Sequence, residues 1–173
     1  MLYHYVGSRT IAERSGLVAR GAPITSPEDI VRWLTSNTDV DSNSDEITVT
    51  FVVNEEGVLL IADRHSEHVA CAGGRPVRAA GEMCFAVKAN RVTVTRVSNQ
   101  STGYCPEPES WAEVVPVLRA AGLEPPEGFD PRCEFRRCVK CGSLNLVKCG
   151  VFECGICEAV LPGEYNCQPD AET

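Results

Sequence analysis

Apolar residues near the start of the chain recur at helical spacing in two places. Residues 10–18 carry apolar side chains at positions compatible with a short helix that ends before residue 21. Residues 26–34 give a clearer pattern, because Ser26 can cap a helix and Pro27 suits its first position. The polar stretch 35–45 predicts an exposed loop. The sequence therefore predicts two helices followed by a loop.

From residue 46 the pattern changes to runs of β-branched residues. Residues 47–53 and 58–63 are two such runs, and the turn residues 54–57 between them predict a hairpin. Residues 76–87 and 91–97 predict two further strands, the second with alternating apolar and polar positions. We therefore expect an α+β fold with an antiparallel sheet of about four strands and two or three helices.

The third predicted helix follows the last strand. Ser110 and Glu113 have the spacing of a capping box, and apolar positions continue to residue 121. Pro116 lies inside this pattern and predicts a kink or a different helix start. The proline-rich residues 124–132 predict a rigid linker to a separate C-terminal unit.

Composition and charge narrow the class of protein. The 173 residues are 43% hydrophobic and 23% charged, as in a globular domain, and the net charge of −8 disfavours general attraction to phosphate. Residues 131–150 are an exception, because Glu134 is the one acidic residue among five basic ones. The basic residues are Arg132, Arg136, Arg137, Lys140 and Lys148. They predict either a solvated surface or a local nucleic-acid contact.

The ten cysteines, taken with the N-terminal sequence, indicate which cellular compartment to expect. The N-terminus has no basic segment followed by an apolar one, and no apolar run approaches the roughly 18 residues that span a bilayer. Without an export signal, paired cysteines favour reduced thiols and a metal over disulfides. We therefore expect a cytoplasmic protein with no membrane association.

Two C-x-x-C pairs near the C-terminus are the strongest chemical signal in the chain. Cys138 and Cys141 are separated by twelve residues from Cys154 and Cys157. Each pair can direct two thiolates at one ion with Zn–S bonds of about 2.3 Å. Four thiolates close a tetrahedral shell, so we expect one structural Zn²⁺ per chain, with iron as a minor alternative. The other cysteines nearby are ordinary thiols or substitute ligands: Cys133, Cys149 and Cys167.

The segment from Cys138 to Pro162 resembles the zinc-ribbon family. The resemblance covers about the last forty residues and implies a small fold held by its metal, with Phe135 and Phe152 as a minimal core. Zinc ribbons occur in transcription, translation and adaptor proteins, so the resemblance does not choose a role. The predicted organisation is an α+β module, a linker, a zinc ribbon and a tail, at residues 1–123, 124–132, 133–167 and 168–173.

A second group of reactive residues lies between the second and third predicted strands. His65, His68 and Cys71 occur there, and Glu82 and Cys105 follow. These residues are candidates for a nucleophile and its base, or for a second metal site. The alternative is that the histidines hydrogen-bond at strand ends and the cysteines are small apolar core residues.

Residues 47–122 resemble a β-rich module of bacterial effector-like proteins and plant IQ-motif proteins. The similarity lies in four short phrases: His65 and Ser66, residues 72–74, residues 79–82, and residues 101–106. The family has a histidine between the glycine and tyrosine of the last phrase, which this chain lacks, and the IQ motif is also missing. Calmodulin binding is therefore not implied.

The resemblance implies a pocket at one end of the sheet. Its lining would include Asn99, Ser101 and Tyr104, together with the two histidines and Glu82. Alternatively, the glycines shape turns and Glu82 pairs with an arginine such as Arg78 or Arg96.

Three functions remain open at this point. The first is a binding or adaptor protein that recognises a protein or peptide. The second is an enzyme that uses Cys71 or Cys105 with a histidine of the His65–Cys71 segment. The third is a nucleic-acid-associated factor that contacts phosphates through four basic residues of the ribbon region: Arg132, Arg136, Arg137 and Lys140. The acidic charge and the absence of a complete catalytic motif favour the first.

Overall fold

The computed structural model describes residues 1–15, 21–37, 46–89 and 91–169. It confirms an α+β fold with an antiparallel sheet and a cysteine cluster near the C-terminus. The elements in chain order are α1 (Arg9–Ser15), β1 (Ala22–Ile24), α2 (Pro27–Ser36), β2 (Ile47–Asn54), β3 (Leu59–Asp63), α3 (His68–Cys71), β4 (Val77–Lys88), β5 (Arg91–Val97), a 3-10 helix (Pro108–Ser110), α4 (Trp111–Ala120), β6 (Glu134–Arg137) and β7 (Leu144–Val147).

The main sheet has five strands in the order β1-β3-β2-β4-β5, and every neighbouring pair is antiparallel. The central strand β2 is buried on both faces. Val49, Phe51 and Val53 pack on one face, and Val52 packs on the other. This explains its nearly continuous apolar sequence, since only a strand covered on both sides needs one.

One face of the sheet is covered by α2 and α4. Ile30 of α2 is fully buried there, as are Val114 and Leu118 of α4. Burying an isoleucine side chain fully stabilises the fold by about 1.5–3 kcal/mol. These three side chains therefore hold both helices against the sheet.

The opposite face is covered by the N-terminal segment, α3 and the turn after β5. Tyr3, Val69, Cys71 and Tyr104 are all buried in this second cluster. Tyr3 also joins the sheet, because its backbone exchanges two hydrogen bonds with Val77. The segment between β3 and β4 thus contains a buried helical turn.

The cap of α2 is confirmed, whereas the predicted capping box at Ser110 is wrong. The Ser26 hydroxyl accepts a hydrogen bond from the Asp29 N–H, and the Asp29 carboxylate accepts one from the Ser26 N–H. Ser110 instead has helical backbone angles because the 3-10 helix runs straight into α4. Its hydroxyl makes no capping bond, and α4 continues through Pro116.

Three other segments differ from the predictions or lie partly outside the described residues. The short strand β1 was not predicted, since Pro23 at its centre suggested a helix end. The predicted loop 35–45 begins later, because α2 extends to Ser36, and residues 38–45 lie outside the described part of the chain. The first helix is described only to Ser15, so its predicted end also lies outside.

Residues 124–132 pack against the main sheet on their way to β6. The Phe129 ring meets the Trp111 ring edge to face at 4.9 Å. The Asp130 N–H donates a hydrogen bond of 2.7 Å to the Val97 carbonyl. The division into module, linker and ribbon stays a prediction, and these contacts show that the chain remains attached to the sheet across it.

The ribbon, residues 133–167, contains the antiparallel hairpin of β6 and β7. Phe152 packs near Cys138, Cys154 and Leu161, whereas Phe135 packs in a separate cluster with Cys105 of the main module. Among residues 1–15, 21–37, 46–89 and 91–169, no helix has the length and apolar character that crossing a membrane requires.

Candidate metal centre

The four predicted ligand cysteines come together at one point. Their Sγ atoms all lie within 4.8 Å of one another. The Sγ atoms of Cys138 and Cys157 are 3.6 Å apart, as are those of Cys141 and Cys154. A tetrahedral shell with Zn–S bonds of about 2.3 Å has S–S edges of about 3.8 Å. Disulfide sulfurs would lie about 2.05 Å apart, so the cluster fits a metal ion such as zinc and does not fit two disulfides.

The two C-x-x-C turns have the same backbone geometry. In the first knuckle, residues 138–142, the Gly142 N–H donates to the Cys138 carbonyl at 2.8 Å; in the second, residues 154–158, Glu158 N–H donates to Cys154 at 2.9 Å. Gly142 and Glu158 both have positive φ, at 75° and 58°. The N–H of each first cysteine also donates to the carbonyl five residues later, at 2.8 and 2.9 Å. The ribbon thus approaches its candidate metal through two equivalent turns.

Two side chains outside the cysteine motif organise the thiols. The Ser143 hydroxyl lies 3.1 Å from the Cys141 Sγ and 3.2 Å from the Cys154 Sγ. Asn145 donates to the Ser143 carbonyl at 2.9 Å and accepts from the Gly155 N–H at 3.0 Å. Asn145 therefore ties the two knuckles together. Such outer contacts orient metal ligands, and nothing in the spacing of the cysteines would have identified either residue.

Two of the four thiols, those of Cys141 and Cys154, are held in an environment that favours loss of their protons. The Ser143 hydroxyl lowers the pKa of Cys141 and, with the N–H groups of Cys157 and Ile156, lowers the pKa of Cys154 to about 5. The Ala159 N–H lowers the pKa of Cys157, but lost hydration and the neighbouring thiols outweigh it and raise the value to about 12. Crowded thiols share protons in this way, and a divalent cation would displace those protons.

Arg136 lies in the interior and connects the ribbon to the main module. Its side chain is 5% exposed and pairs with Glu107 at 2.9 Å. It also donates to the carbonyls of Phe135 and Gly163, and its guanidinium lies 5.7 Å from the centre of the Phe152 ring. All of these partners belong to the protein, so the Arg136 side chain does not face solvent as a phosphate contact would.

Arg137, the second predicted phosphate contact, also bonds within the ribbon. Its backbone N–H donates to the Asn166 side chain at 2.8 Å, and its guanidinium donates to the Gly142 carbonyl at 3.4 Å. Its Nε is buried with no hydrogen-bond partner in the described structure. The exposed basic residues of this region are Arg132, Lys140 and Lys148.

No protein-family model, curated protein or solved structure matches this chain. The likeness to zinc ribbons therefore rests on the four close cysteines and the two equivalent turns around them. The likeness of the main module to the β-rich family has no support from these comparisons.

The two histidines of the candidate catalytic group lie in different environments. His65 is exposed in a turn, where its backbone N–H donates to the Asp63 carboxylate at 2.8 Å. His68 is half-buried at the start of α3, and its Nε2 lies 2.9 Å from the Gly81 carbonyl. A carbonyl can only accept, so Nε2 carries the proton. Burial lowers the pKa of His68 despite this bond, which favours the neutral form of the ring.

The candidate nucleophiles are both buried thiols. Cys71 lies in the core behind β3, with its Sγ 3.8 Å from the Leu60 carbonyl, and burial raises its pKa to about 12. Cys105 donates to the Thr102 carbonyl at 3.3 Å, and a bond to Cys167 together with burial raises its pKa. The two belong to different clusters. Neither has the lowered pKa and partial exposure of a reactive cysteine.

The predicted pocket residues are bonded to backbone groups in the interior. Asn99 donates to the Pro106 and Cys133 carbonyls at 2.8 Å and accepts from the Cys133 N–H at 2.7 Å. The Ser101 hydroxyl accepts from the Tyr104 N–H at 3.4 Å. The Tyr104 hydroxyl donates to the carbonyl of Arg75, between α3 and β4, at 2.7 Å. These bonds connect the turn after β5 to its surroundings.

Glu82 is half-buried on β4, and its backbone N–H bonds to the Ser98 hydroxyl at 3.4 Å. Its proposed arginine partners pair elsewhere: Arg78 with Glu113 at 3.3 Å, and Arg96 with Glu46 at 4.0 Å. Glu82 therefore forms neither of the predicted ion pairs.

Proposed function

We propose that this chain is a binding or adaptor protein that recognises a protein or peptide partner through its ribbon. One zinc ion per chain would serve as the structural cofactor of the ribbon. The closed set of four thiolates supports a structural role, because it leaves no open coordination position for a substrate. The many free thiols suit a reducing compartment, so a cytoplasmic location forms part of the proposal.

The observation that carries the proposal is the distribution of exposed apolar side chains. In the described part of the chain, four of the six large ones lie in the ribbon. Val139 and Ile156, 77% and 76% exposed, lie between the two cysteines of the first and second knuckle. Val151 and Val160 are 59% and 79% exposed. Exposed apolar side chains concentrated in the ribbon are unfavourable in water and favour a partner that covers them.

The metal would make this surface a better binding site. Val139 and Ile156 each lie in a turn whose flanking cysteines belong to the thiol cluster. Holding the four thiols on one ion fixes both turns before a partner arrives. Preorganisation of this kind reduces the entropy lost on binding and so increases affinity.

The proposal is tested with a Val139→Ser/Ile156→Ser double variant. Wild-type protein immobilised with its metal should enrich specific proteins from cell extract in quantitative mass spectrometry. The double variant should lose them while it keeps its zinc and its thermal stability. Leu2→Ser is the matched control, because Leu2 is also exposed but lies outside the ribbon. Equal recovery of the same proteins by the double variant would refute a docking role for the knuckles.

A photo-crosslinking amino acid at position 139 gives an independent check. Crosslinks to the enriched protein should form from this position and not from position 2. A purified binary complex then measures the affinity directly, without competition from other proteins in the extract.

A further inference from the structure

Three buried cysteines outside the candidate metal centre lie together where the ribbon meets the main module. Cys105, Cys133 and Cys167 are 0%, 4% and 1% exposed and pack with Phe135 in one cluster. Cys105 follows β5 in the main module, whereas Cys167 lies at the end of the ribbon, after β7. The cluster therefore joins two parts of the chain that are far apart in sequence.

Hydrogen bonds hold both of these chain segments beside β6. The Asn99 side chain donates to the carbonyls of Pro106 and Cys133, each at 2.8 Å. Asn166 accepts from the Arg137 N–H and donates to the Arg137 carbonyl, both at 2.8 Å. Each bonded residue, 106 or 166, is next in sequence to a cysteine of the cluster. The backbone is thus fixed on both sides of the meeting point.

The thiols of Cys105 and Cys167 interact with each other and differ in their tendency to ionise. A hydrogen bond between the two, and then burial, raise the pKa of Cys105. The same hydrogen bond lowers the pKa of Cys167, and the charges of Arg137 and Arg136 lower it further against the effect of burial. The thiolate is the nucleophilic form of cysteine, so Cys167 has the more reactive sulfur of the pair.

The three cysteines do not form a second zinc site. In the described part of the chain, the one group of three or more converging metal-ligating side chains is that of the ribbon knuckles. The Cys133 Sγ instead lies 4.0 Å from the Pro131 carbonyl. A pair of interacting thiols leaves a zinc shell incomplete but supplies both sulfurs of a disulfide.

We propose that Cys105 and Cys167 form a reversible disulfide when the protein is exposed to a peroxide. The Cys167 thiolate attacks one oxygen of hydrogen peroxide, the O–O bond breaks, and a sulfenic acid forms with release of hydroxide. The Cys105 sulfur then attacks the Cys167 sulfur, an S–S bond forms, and water leaves. In total the two thiols lose two electrons and two protons, and hydrogen peroxide is reduced to two molecules of water.

The oxidant has a short route to the Cys167 sulfur. Hydrogen peroxide is close to water in size, and the exposed residues Gln168 and Pro169 follow Cys167 directly. Displacement of this end of the ribbon uncovers the thiol without unfolding the sheet, and local opening costs less free energy than global unfolding.

The disulfide would enclose the whole candidate metal centre in one loop. All four zinc-ligand cysteines lie between residues 105 and 167, so the bond ties both ends of the ribbon segment to the main module. A cross-link across a long loop reduces the entropy of the unfolded chain and thereby stabilises the folded one. Disulfides of this reversible kind in reducing compartments usually sense oxidants. The knuckle surface takes no part in this reaction, so the proposal does not depend on the docking function.

The test is oxidation of the zinc-loaded full chain carrying Cys149→Ser, which removes an exposed thiol outside both cysteine groups. A small molar excess of hydrogen peroxide should remove two hydrogen atoms from the intact mass. Non-reducing digestion with trypsin and Glu-C gives residues 97–109 and 165–172 as peptides with one cysteine each. Mass spectrometry should find these two peptides joined, and dithiothreitol should separate them.

Three variants and a stability measurement assign the pair. Cys105→Ser and Cys167→Ser should each prevent the link, whereas Cys133→Ser, which alters the third thiol of the cluster, should retain it. The linked protein should unfold at a urea midpoint about 1–2 M higher than the reduced protein. The same peroxide treatment should not raise the midpoint of the Cys167→Ser protein. The peptide link in the parent protein assigns the pair even where a serine variant is unstable.

Each outcome supports or overturns a defined part of the proposal. A reversible link between residues 105 and 167, together with a higher urea midpoint, supports it in full. Oxidation of the zinc ligands while these two residues stay unlinked overturns it. A predominant link from either residue to Cys133 overturns the choice of partners. A link that leaves the urea midpoint unchanged overturns the stabilising role of the loop.

Discussion

Because the two knuckles have equivalent turns, we predict opposite changes in ribbon stability for substitutions at Gly142 and Glu158. Both residues have positive φ, but only Gly142 is a glycine. The left-handed conformation costs a residue with a Cβ about 1–2 kcal/mol. Glycine in turn loses about 0.4–1 kcal/mol more on folding, because its unfolded chain is freer. Glu158→Gly should therefore stabilise the ribbon by about 0–1.5 kcal/mol, and Gly142→Ala should destabilise it by a similar amount.

Changes in side-chain contacts do not contribute to this comparison. A Cβ at Gly142 would meet no atom within 4 Å, so the cost of Gly142→Ala comes from the backbone alone. Glu158 is exposed and makes no ion pair in the described structure, so its side chain can be removed without losing a contact. Gly128→Ala is the matched control, because a Cβ there is also unhindered and φ is not positive. This variant should be neutral or slightly stabilising.

The measurement is urea unfolding of the zinc-loaded proteins, paired with competition against a zinc chelator. The free energy of unfolding should increase in the order Gly142→Ala, wild type, Glu158→Gly. A difference of about 1.4 kcal/mol corresponds to a tenfold change in metal retention if the metal binds only the folded ribbon. Loss of stability in Glu158→Gly comparable to that in Gly142→Ala would refute the equivalence of the turns.

Three further predictions concern the metal, the buried arginine and the candidate nucleophile. Cys141→Ser should reduce zinc content well below one ion per chain by elemental analysis, whereas Cys149→Ser, which alters an exposed cysteine outside the cluster, should retain it. Arg136→Gln should lower the free energy of unfolding by about 3–5 kcal/mol, because it leaves a partly buried carboxylate unpaired. Exposed Arg119→Gln should change it by less than about 0.5 kcal/mol, and equal effects would contradict the buried network. Iodoacetamide at pH 8 should alkylate Cys149 quickly and Cys71 only after unfolding, as mass spectrometry of peptides would show; fast labelling of Cys71 would revive the enzyme hypothesis.

Local patterns predicted those parts of the fold that depend on neighbouring residues. The β-branched runs predicted strands β2, β3 and β5, because burial on a sheet favours these residues wherever they occur. Ser26 capped α2 as expected, since the cap needs only Asp29 three residues later. Ser110 failed as a cap because the preceding Pro108 starts a 3-10 turn that fixes its backbone first. The strand β1 could not be predicted, because three residues gain their structure only by pairing with β3.

The candidate metal centre also combines features that local sequence predicts with features that it does not. The spacing of the cysteines predicted the thiol cluster, since each C-x-x-C turn is a local structure. The contacts of Ser143 and Asn145 depend on how the two knuckles face each other, which no spacing encodes. Arg136 stood out in the sequence as part of a basic patch, but its charge is matched by Glu107, twenty-nine residues away. Charge counted along the chain cannot identify a partner that distant in sequence.

Asn99 makes the first residue of the ribbon part of the interior of the main module. Its side-chain amide exchanges two hydrogen bonds with the Cys133 backbone, as one peptide group does with another across a pair of antiparallel strands. Cutting the chain after residue 132 would leave this fully buried amide with one of its three bonds, at a cost of about 1–3 kcal/mol for each group left unpaired. Water would then have to enter beside Asn99 and hydrogen-bond the amide groups left unpaired. Dissection of this protein into smaller pieces should therefore keep Cys133 with the sheet.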